Sequence, residues 1–285
     1  MKEKLFKYLT VVAGLSSIIF LLAIIVSIFK EGLPIFFKVG LVDFLTKTSW
    51  HPTHCEPEFG ILSLIVGSAV VTVGALIVSI PLGIGSALYI SELAHPKAKE
   101  ILKPMVELLA GVPSVIYGLF GMTILASLVR ELFDVAIGLN AFTASIILGI
   151  MVVPIISSIS EDAISSVPKD LREASYALGA NKWETIIKVV LPAAKSGVIA
   201  SVILGFGRAI GETMVVLMVA GGSASLPKSL FSPVRPMTSS IAAEMGETIV
   251  GGLHYQALFG IGIILFIITF CSNLITEWVL KRRKR

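Results

Sequence analysis

Two charged residues four apart, Arg208 and Glu212, stand in a run that is otherwise apolar or small: Gly205-Phe206-Gly207-Arg208-Ala209-Ile210-Gly211-Glu212-Thr213. On a helix that spacing puts both on one face, where they can pair. An arginine in so apolar a setting costs at least about 3 kcal/mol to insert into a bilayer, so it is expected to face a packed interior or a wet cavity. Two readings of the pair stay open. The charges neutralise each other, or Arg208 contacts an anion while Gly205, Gly207 and Gly211 allow close approach of backbone. Both hold if the pair opens as a ligand passes. The second reading makes Arg208, Glu212 and Thr213 the candidate substrate pathway. The pair also leans toward one anion. Phosphate near neutral pH keeps a proton that it can donate to Glu212, whereas sulfate only accepts and meets a repelling carboxylate.

A second stretch is polar and lies between apolar ones: Glu173-Ala174-Ser175-Tyr176-Ala177-Leu178-Gly179, then nine residues, then Val189-Val190-Leu191-Pro192. Pro168 suits a first helical position, Asp170 and Glu173 put negative charge in the first turns, and Gly179 can close the helix with a left-handed cap. A second helix follows at once, with Asn181 as cap and Glu184 placed for a capping box. Trp183, Ile186, Ile187 and Val190 give it an apolar stripe. The stretch is thus expected to be a helix, a tight turn and a helix ending at Pro192. It resembles the cytoplasmic EAA loop of ATP-binding-cassette (ABC) importer permeases, with Ser175 for the second alanine and Val189 for an isoleucine. That resemblance implies that Glu173, Ala174, Ser175, Gly179, Leu191 and Pro192 couple the chain to an ATPase subunit.

What must position these residues follows from composition. Of 285 residues 55% are hydrophobic and 15% charged, and the mean hydropathy is +0.92. That is too apolar for a soluble domain and reads as an all-α membrane protein with six transmembrane helices. Apolar runs near 9–29, 61–91, 105–129, 141–160, 197–221 and 257–280 reach the length needed for a core about 30 Å thick. The first is expected to be an uncleaved span. The second is overlong and is expected to tilt or bend at Pro81. Taking the fifth to enter near Gly197, Arg208 lies about 17 Å along it at 1.5 Å per residue, close to the midplane.

Of the 23 Lys and Arg residues, sixteen fall on one side if both termini are cytoplasmic, and six on the other. The positive-inside bias therefore puts both termini and the 161–195 loop in the cytoplasm. It also accounts for the Lys281–Arg285 tail without nucleic acid. The expected division is an N-terminal tail and first helix (1–30), an extracytoplasmic segment (31–60), a permease core of five helices (61–280) and a basic tail (281–285).

Gly32 and Pro34 are expected to break the chain after the first span, and Trp50 to lie at a membrane interface. His51, His54, Cys55, Glu56 and Glu58 are metal ligands by type, but their spacing matches no common zinc pattern and Pro52 and Pro57 suggest a surface turn, so no metal is expected. Cys271 reads as a small core residue and His254 as an interface residue. Gly111 and Pro113 are expected to leave either a broken helix start that lines a pathway or a simple packing kink at the third span. Gly222 to Tyr255 reads as a polar outside segment. No Gly-Lys dipeptide occurs, so the chain carries no P-loop and no enzyme activity or cofactor is expected.

Glu31-Gly32-Leu33-Pro34, Trp50-His51-Pro52, Tyr89-Ile90-Ser91-Glu92, Glu107 to Val115 and Gly207 to Thr213, with the EAA loop, resemble the phosphate-specific ABC importer permeases of the PstC type. The resemblance implies the type I permease fold, a bacterial-type inner membrane, a second permease as heterodimer partner, ATPase subunits and an extracytoplasmic phosphate-binding protein. Another oxyanion importer, for sulfate or molybdate, is the alternative; a secondary transporter or a membrane enzyme fits less well. Glu173→Lys or Gly179→Pro is expected to uncouple the ATPase, read as loss of transport-linked ATP hydrolysis; unchanged coupling would refute the reading of the loop.

Overall fold

The computed structural model describes the backbone of residues 2–281 and the side chains of residues 6–275, so the expected basic tail beyond Lys281 lies outside the described residues. The chain is almost wholly helical. Helix α1 (Lys2–Ile35) passes through a wide π-helical turn, Phe36–Gly40, into α2 (Leu41–Thr46). A hairpin of two short strands follows, β1 (Trp50–His51) and β2 (Glu58–Phe59), with Trp50 opposite Phe59. Then come α3 (Leu62–Leu88), α4 (Pro96–Ala110), α5 (Ser114–Phe120), α6 (Ala126–Leu132), α7 (Ala141–Ser165), α8 (Lys169–Ala177) and α9 (Lys182–Thr185). Helices α10 (Leu191–Ile210), α11 (Met214–Val219), α12 (Met237–Glu244) and α13 (Leu253–Lys281) complete the chain.

Six stretches among the described residues are long and apolar enough to cross a membrane: Phe6–Thr46, Leu62–Leu93, Ser114–Leu132, Ala141–Ser165, Lys182–Ile210 and Leu253–Ile275. The number matches the sequence expectation, and several boundaries move. The third span begins at Ser114 instead of 105, because the chain breaks at Gly111–Pro113 and the residues before it form α4, an amphipathic helix with no buried side chain. Gly32 and Pro34 do not break α1. Gly32 instead permits contact, since a Cβ there would lie 2.8 Å from the backbone of Phe259 on α13. Pro81 also stays inside α3, which runs unbroken to Leu88.

The helical hairpin does not end at Pro192. Residues 182–210 are continuous, and Pro192 follows a π-helical turn, Ile186–Val190, where the hydrogen-bond ladder changes register and a missing N–H is tolerated. The fifth span instead stops short, at Ile210. Pro168 caps α8 from outside, with Lys169 as the first helical residue.

Helices α3, α7 and α10 form the centre. Small residues set their separation: a Cβ on Gly149 would lie 2.8 Å from Val78, one on Gly83 2.8 Å from Ile156, and one on Gly205 2.9 Å from Ile156. Without water to drive apolar surfaces together, such close backbone approach is what holds helices in lipid. The central apolar cluster joins Val71 and Ala75 of α3 to Ile147, Leu148, Val152 and Ile156 of α7 and to Val215 and Val216 of α11. A second cluster packs Ile35, Phe44, Trp50 and Phe59 against Leu258 and Ile261 of α13.

Trp50 is therefore buried, 3% exposed, and not at a lipid interface. Its indole N–H donates to Glu244 at 3.0 Å, and Glu244 also meets Arg235 and His254 Nε2, the latter at 2.8 Å. Cys271 is exposed, so it is not a core residue. The segment 222–252 is not a free loop either. It re-enters the bundle: Val234 donates its N–H to Ala220 at 2.8 Å, and Met237 N–H to Ser68 Oγ at 2.8 Å.

Candidate functional site

The end of α10 follows from its residues. Gly207 and Gly211 weaken the helix, and the last bonds run from Gly211 N–H to the Gly207 carbonyl and from Glu212 N–H to that of Ala209, both at 3.3 Å. The chain then opens for three residues before α11. Such a break leaves the first amides of α11 without intrahelical partners.

Glu212 supplies them. Its carboxylate Oε1 accepts from Met214 N–H at 3.1 Å and Val215 N–H at 3.3 Å, while Oε2 accepts from Arg208 Nη1 at 2.9 Å. The Glu212 side chain is 2% exposed and that of Arg208 45%. The expected pair thus forms, but across a helix end instead of along one face. Each charge stands where the backbone favours it: the cation in the last turn of α10, the anion just before α11. Thr213 is half-buried, and its hydroxyl reaches the Gly211 carbonyl at 3.4 Å.

This geometry changes the role expected of Glu212. With both oxygens engaged and the side chain buried, a ligand would reach it only by displacing Arg208. Arg208 is the group that presents itself. The sequence reading also missed Thr238, whose hydroxyl donates to the Glu212 carbonyl at 2.6 Å from the first turn of α12. Pro236 just ahead of a helical run is the available signal, although 222–255 reads as a polar outside segment.

The second candidate set lies apart from the first. Gly179 adopts φ +85°, the left-handed cap expected of it. Asn181 and Glu184 form the capping box: Glu184 N–H donates to Asn181 Oδ1 at 2.9 Å and Asn181 N–H to Glu184 Oε2 at 3.0 Å. Ser175 is buried and bonds Thr185 through their hydroxyls at 2.9 Å, locking α8 to α9. A second alanine could not make this bond. Glu173, Ala174 and Gly179 are exposed, Leu191 is half-buried and Pro192 exposed. The expected apolar stripe divides: Ile186 and Val190 are buried, while Trp183 and Ile187 stay exposed, as do Leu171, Tyr176 and Leu178.

Beneath this hairpin lies a charge cluster that the sequence reading missed. Glu161 of α7, 2% exposed, accepts from Lys99 at 2.8 Å and Lys103 at 2.6 Å on α4, and Lys103 also reaches Asp162 at 2.6 Å. Hydrogen bonds to Asp162 and Glu161 raise the Lys103 ammonium pKa above its ordinary value against the opposing effect of burial. Its signal was Glu161-Asp162 at the end of a span and two lysines four apart.

At the other end, His51 stacks on His54 with ring centroids 4.6 Å apart. No group of three or more His, Cys, Asp or Glu among the described residues is placed to hold a metal ion.

The sequence profile of the binding-protein-dependent transport system inner membrane components matches residues 79–285. A probable ABC transporter permease protein, YqgH, of Bacillus subtilis is 39% identical, covering 92% of this chain and 85% of that protein. The phosphate transport system permease protein PstC of Haemophilus influenzae is 36% identical, covering 94% and 89%. Among solved structures, a bacterial ABC transporter for import of the acidic polysaccharide alginate superposes with a TM-score of 0.67 at 16% identity, over 98% of this chain and 96% of that one. The MetNI methionine ABC transporter in an inward-facing conformation gives 0.58 at 18%, over 79% and 95%.

Glu212→Ala is expected to destabilise the protein by about 1–3 kcal/mol, because the α11 amides lose their acceptor. Glu212→Gln, which keeps an acceptor oxygen, is expected to cost less. Thermal unfolding in detergent measures both, and equal stability of all three proteins would contradict the capping role.

Proposed function

This chain belongs to the binding-protein-dependent transport system inner membrane component family, and we propose that it forms the translocation pathway of an ATP-driven importer of inorganic phosphate. That it is a multi-pass ABC importer permease follows from the family and its six apolar helices. The finer reading, that the anion is phosphate, is supported by relatives named as phosphate permeases over most of their length. The observation that carries it in the structure is Arg208: a half-exposed guanidinium at a broken helix, held in place by a buried carboxylate. Broken helices in transporters are where substrate groups and helix ends meet.

In this reading both termini and the 161–195 loop face the cytoplasm of a bacterial-type inner membrane. A second permease completes the pathway, an extracytoplasmic phosphate-binding protein delivers the anion, and ATPase subunits dock on the hairpin. The exposed Leu171, Tyr176, Leu178, Trp183 and Ile187 give an ATPase an apolar surface. The chemical work of this chain is binding and orientation. Arg208 attracts the dehydrated oxyanion, Thr213 and the glycine backbone line its approach, and Glu212 acts as a positioning residue that returns the guanidinium to its resting place.

Uptake of labelled phosphate tests the reading, in vesicles holding this chain, a second permease, the ATPase and the binding protein. ATP-dependent uptake competed by unlabelled phosphate, and by neither sulfate nor molybdate, is the expected result. Uptake of another oxyanion in its place would overturn phosphate while leaving the permease intact.

A further inference from the structure

Among the contacts that fasten the helical hairpin to the bundle is a largely buried ion pair. Arg172 of α8 reaches Glu92 at 2.7 Å, with 16% and 9% of their side chains exposed. Glu92 lies on the π-helical turn Tyr89–Leu93 that ends α3. The same guanidinium donates to carbonyls at the end of α7 and beyond it, Ile164 at 3.0 Å, Pro168 at 3.4 Å and Val167. The Ile164 carbonyl also accepts from Val167 N–H at 3.2 Å, so the guanidinium adds a second donor there, and a cation at a helix C-terminus is favourable. One side chain of α8 is thus bonded to the ends of two central helices.

The contrast within the hairpin is sharp. Its other ion pair, Lys188 with Glu184 at 3.4 Å, is 71% and 42% exposed and joins residues of a single helix. Pairs of that kind contribute little. The Arg172 contacts are shielded from water, where hydrogen bonds to charge hold more firmly. Through Ser175 and Thr185, α8 is also fixed to the helix that continues as α10. So α8 is bolted to α3, α7 and α10 together, the three helices that glycines hold in close contact. The far end of α10 carries Arg208.

We propose that Arg172 and Glu92 are a force-transmitting strut, positioning residues that carry displacement of the coupling hairpin into α3 and α7 so that the central helices move as one block. This rests on the reading of the hairpin as the ATPase coupling element. Loss of the strut leaves the exposed docking face of α8 and its bond to Thr185 in place. Docking and ATP hydrolysis then survive while their connection to the pathway loosens.

The test uses the complete transporter with Glu92→Gln, Arg172→Ala and, as a control, Gly179→Pro. Co-purification of the ATPase, ATP hydrolysis and ATP consumed per anion taken up are measured together. Glu92→Gln and Arg172→Ala are expected to retain the ATPase and its hydrolysis while ATP per anion rises at least about tenfold. Arg172→Lys, which keeps the charge but not the reach to the carbonyls, is expected to fall between. An unchanged ratio in Glu92→Gln and Arg172→Ala overturns the strut, as does loss of ATPase co-purification, which would mark a role in folding or docking alone. If Gly179→Pro uncouples and Glu92→Gln does not, the strut fails while the coupling hairpin stands. If neither uncouples, the hairpin reading fails too.

Discussion

A helix that stops inside a packed bundle leaves amide groups with no partner, and a buried amide left unpaired is costly. The break between α10 and α11 meets this constraint with one carboxylate. Glu212 takes up two α11 amides on one oxygen and the Arg208 guanidinium on the other, and Thr238 secures its carbonyl from the re-entrant segment. Because the carboxylate is fixed by backbone, the arginine it holds is fixed as well. A flexible cation would lose ordering entropy on meeting an anion; one already held loses less.

The surrounding architecture serves to keep that break in place. Glycines on α3, α7 and α10 bring three helices into backbone contact, so the centre resists deformation. The re-entrant segment is pinned at several points. Met237 bonds Ser68, Val234 pairs with the chain after α11, and Glu244 gathers Trp50, Arg235 and His254 into one polar cluster. At the opposite end, Glu161 with Lys99 and Lys103 ties α4 to α7. The protein thus has a rigid middle with polar fastenings at each end, an arrangement suited to rocking as a block.

Much of this was readable from residue types because the signals were local. The Gly179 cap and the Asn181–Glu184 box need only neighbours in sequence and appear as expected, as does the number of apolar runs, though not all of their bounds. What was misread depends on distant partners. Gly32 and Pro34 look like breakers until α13 is seen to pack against Gly32. Trp50 looks like an interface residue until Glu244, 194 residues away, is seen to accept its N–H. The pairing of Arg208 and Glu212 was legible from spacing, but not that the helix ends between them. Nor was it legible that the glutamate is a cap, since that depends on where α11 begins.

The measurement that bears most directly on the account is uptake by the assembled transporter carrying Arg208→Ala. Removing a charge-assisted contact to an anion is worth about 1.5–3 kcal/mol, and about 1.4 kcal/mol is a factor of ten. The Arg208→Ala protein is expected to assemble with the partner subunits at normal yield, and phosphate uptake to fall at least about tenfold. Normal uptake by a fully assembled Arg208→Ala protein would contradict this, leaving the ion pair as a structural clasp with no part in the pathway.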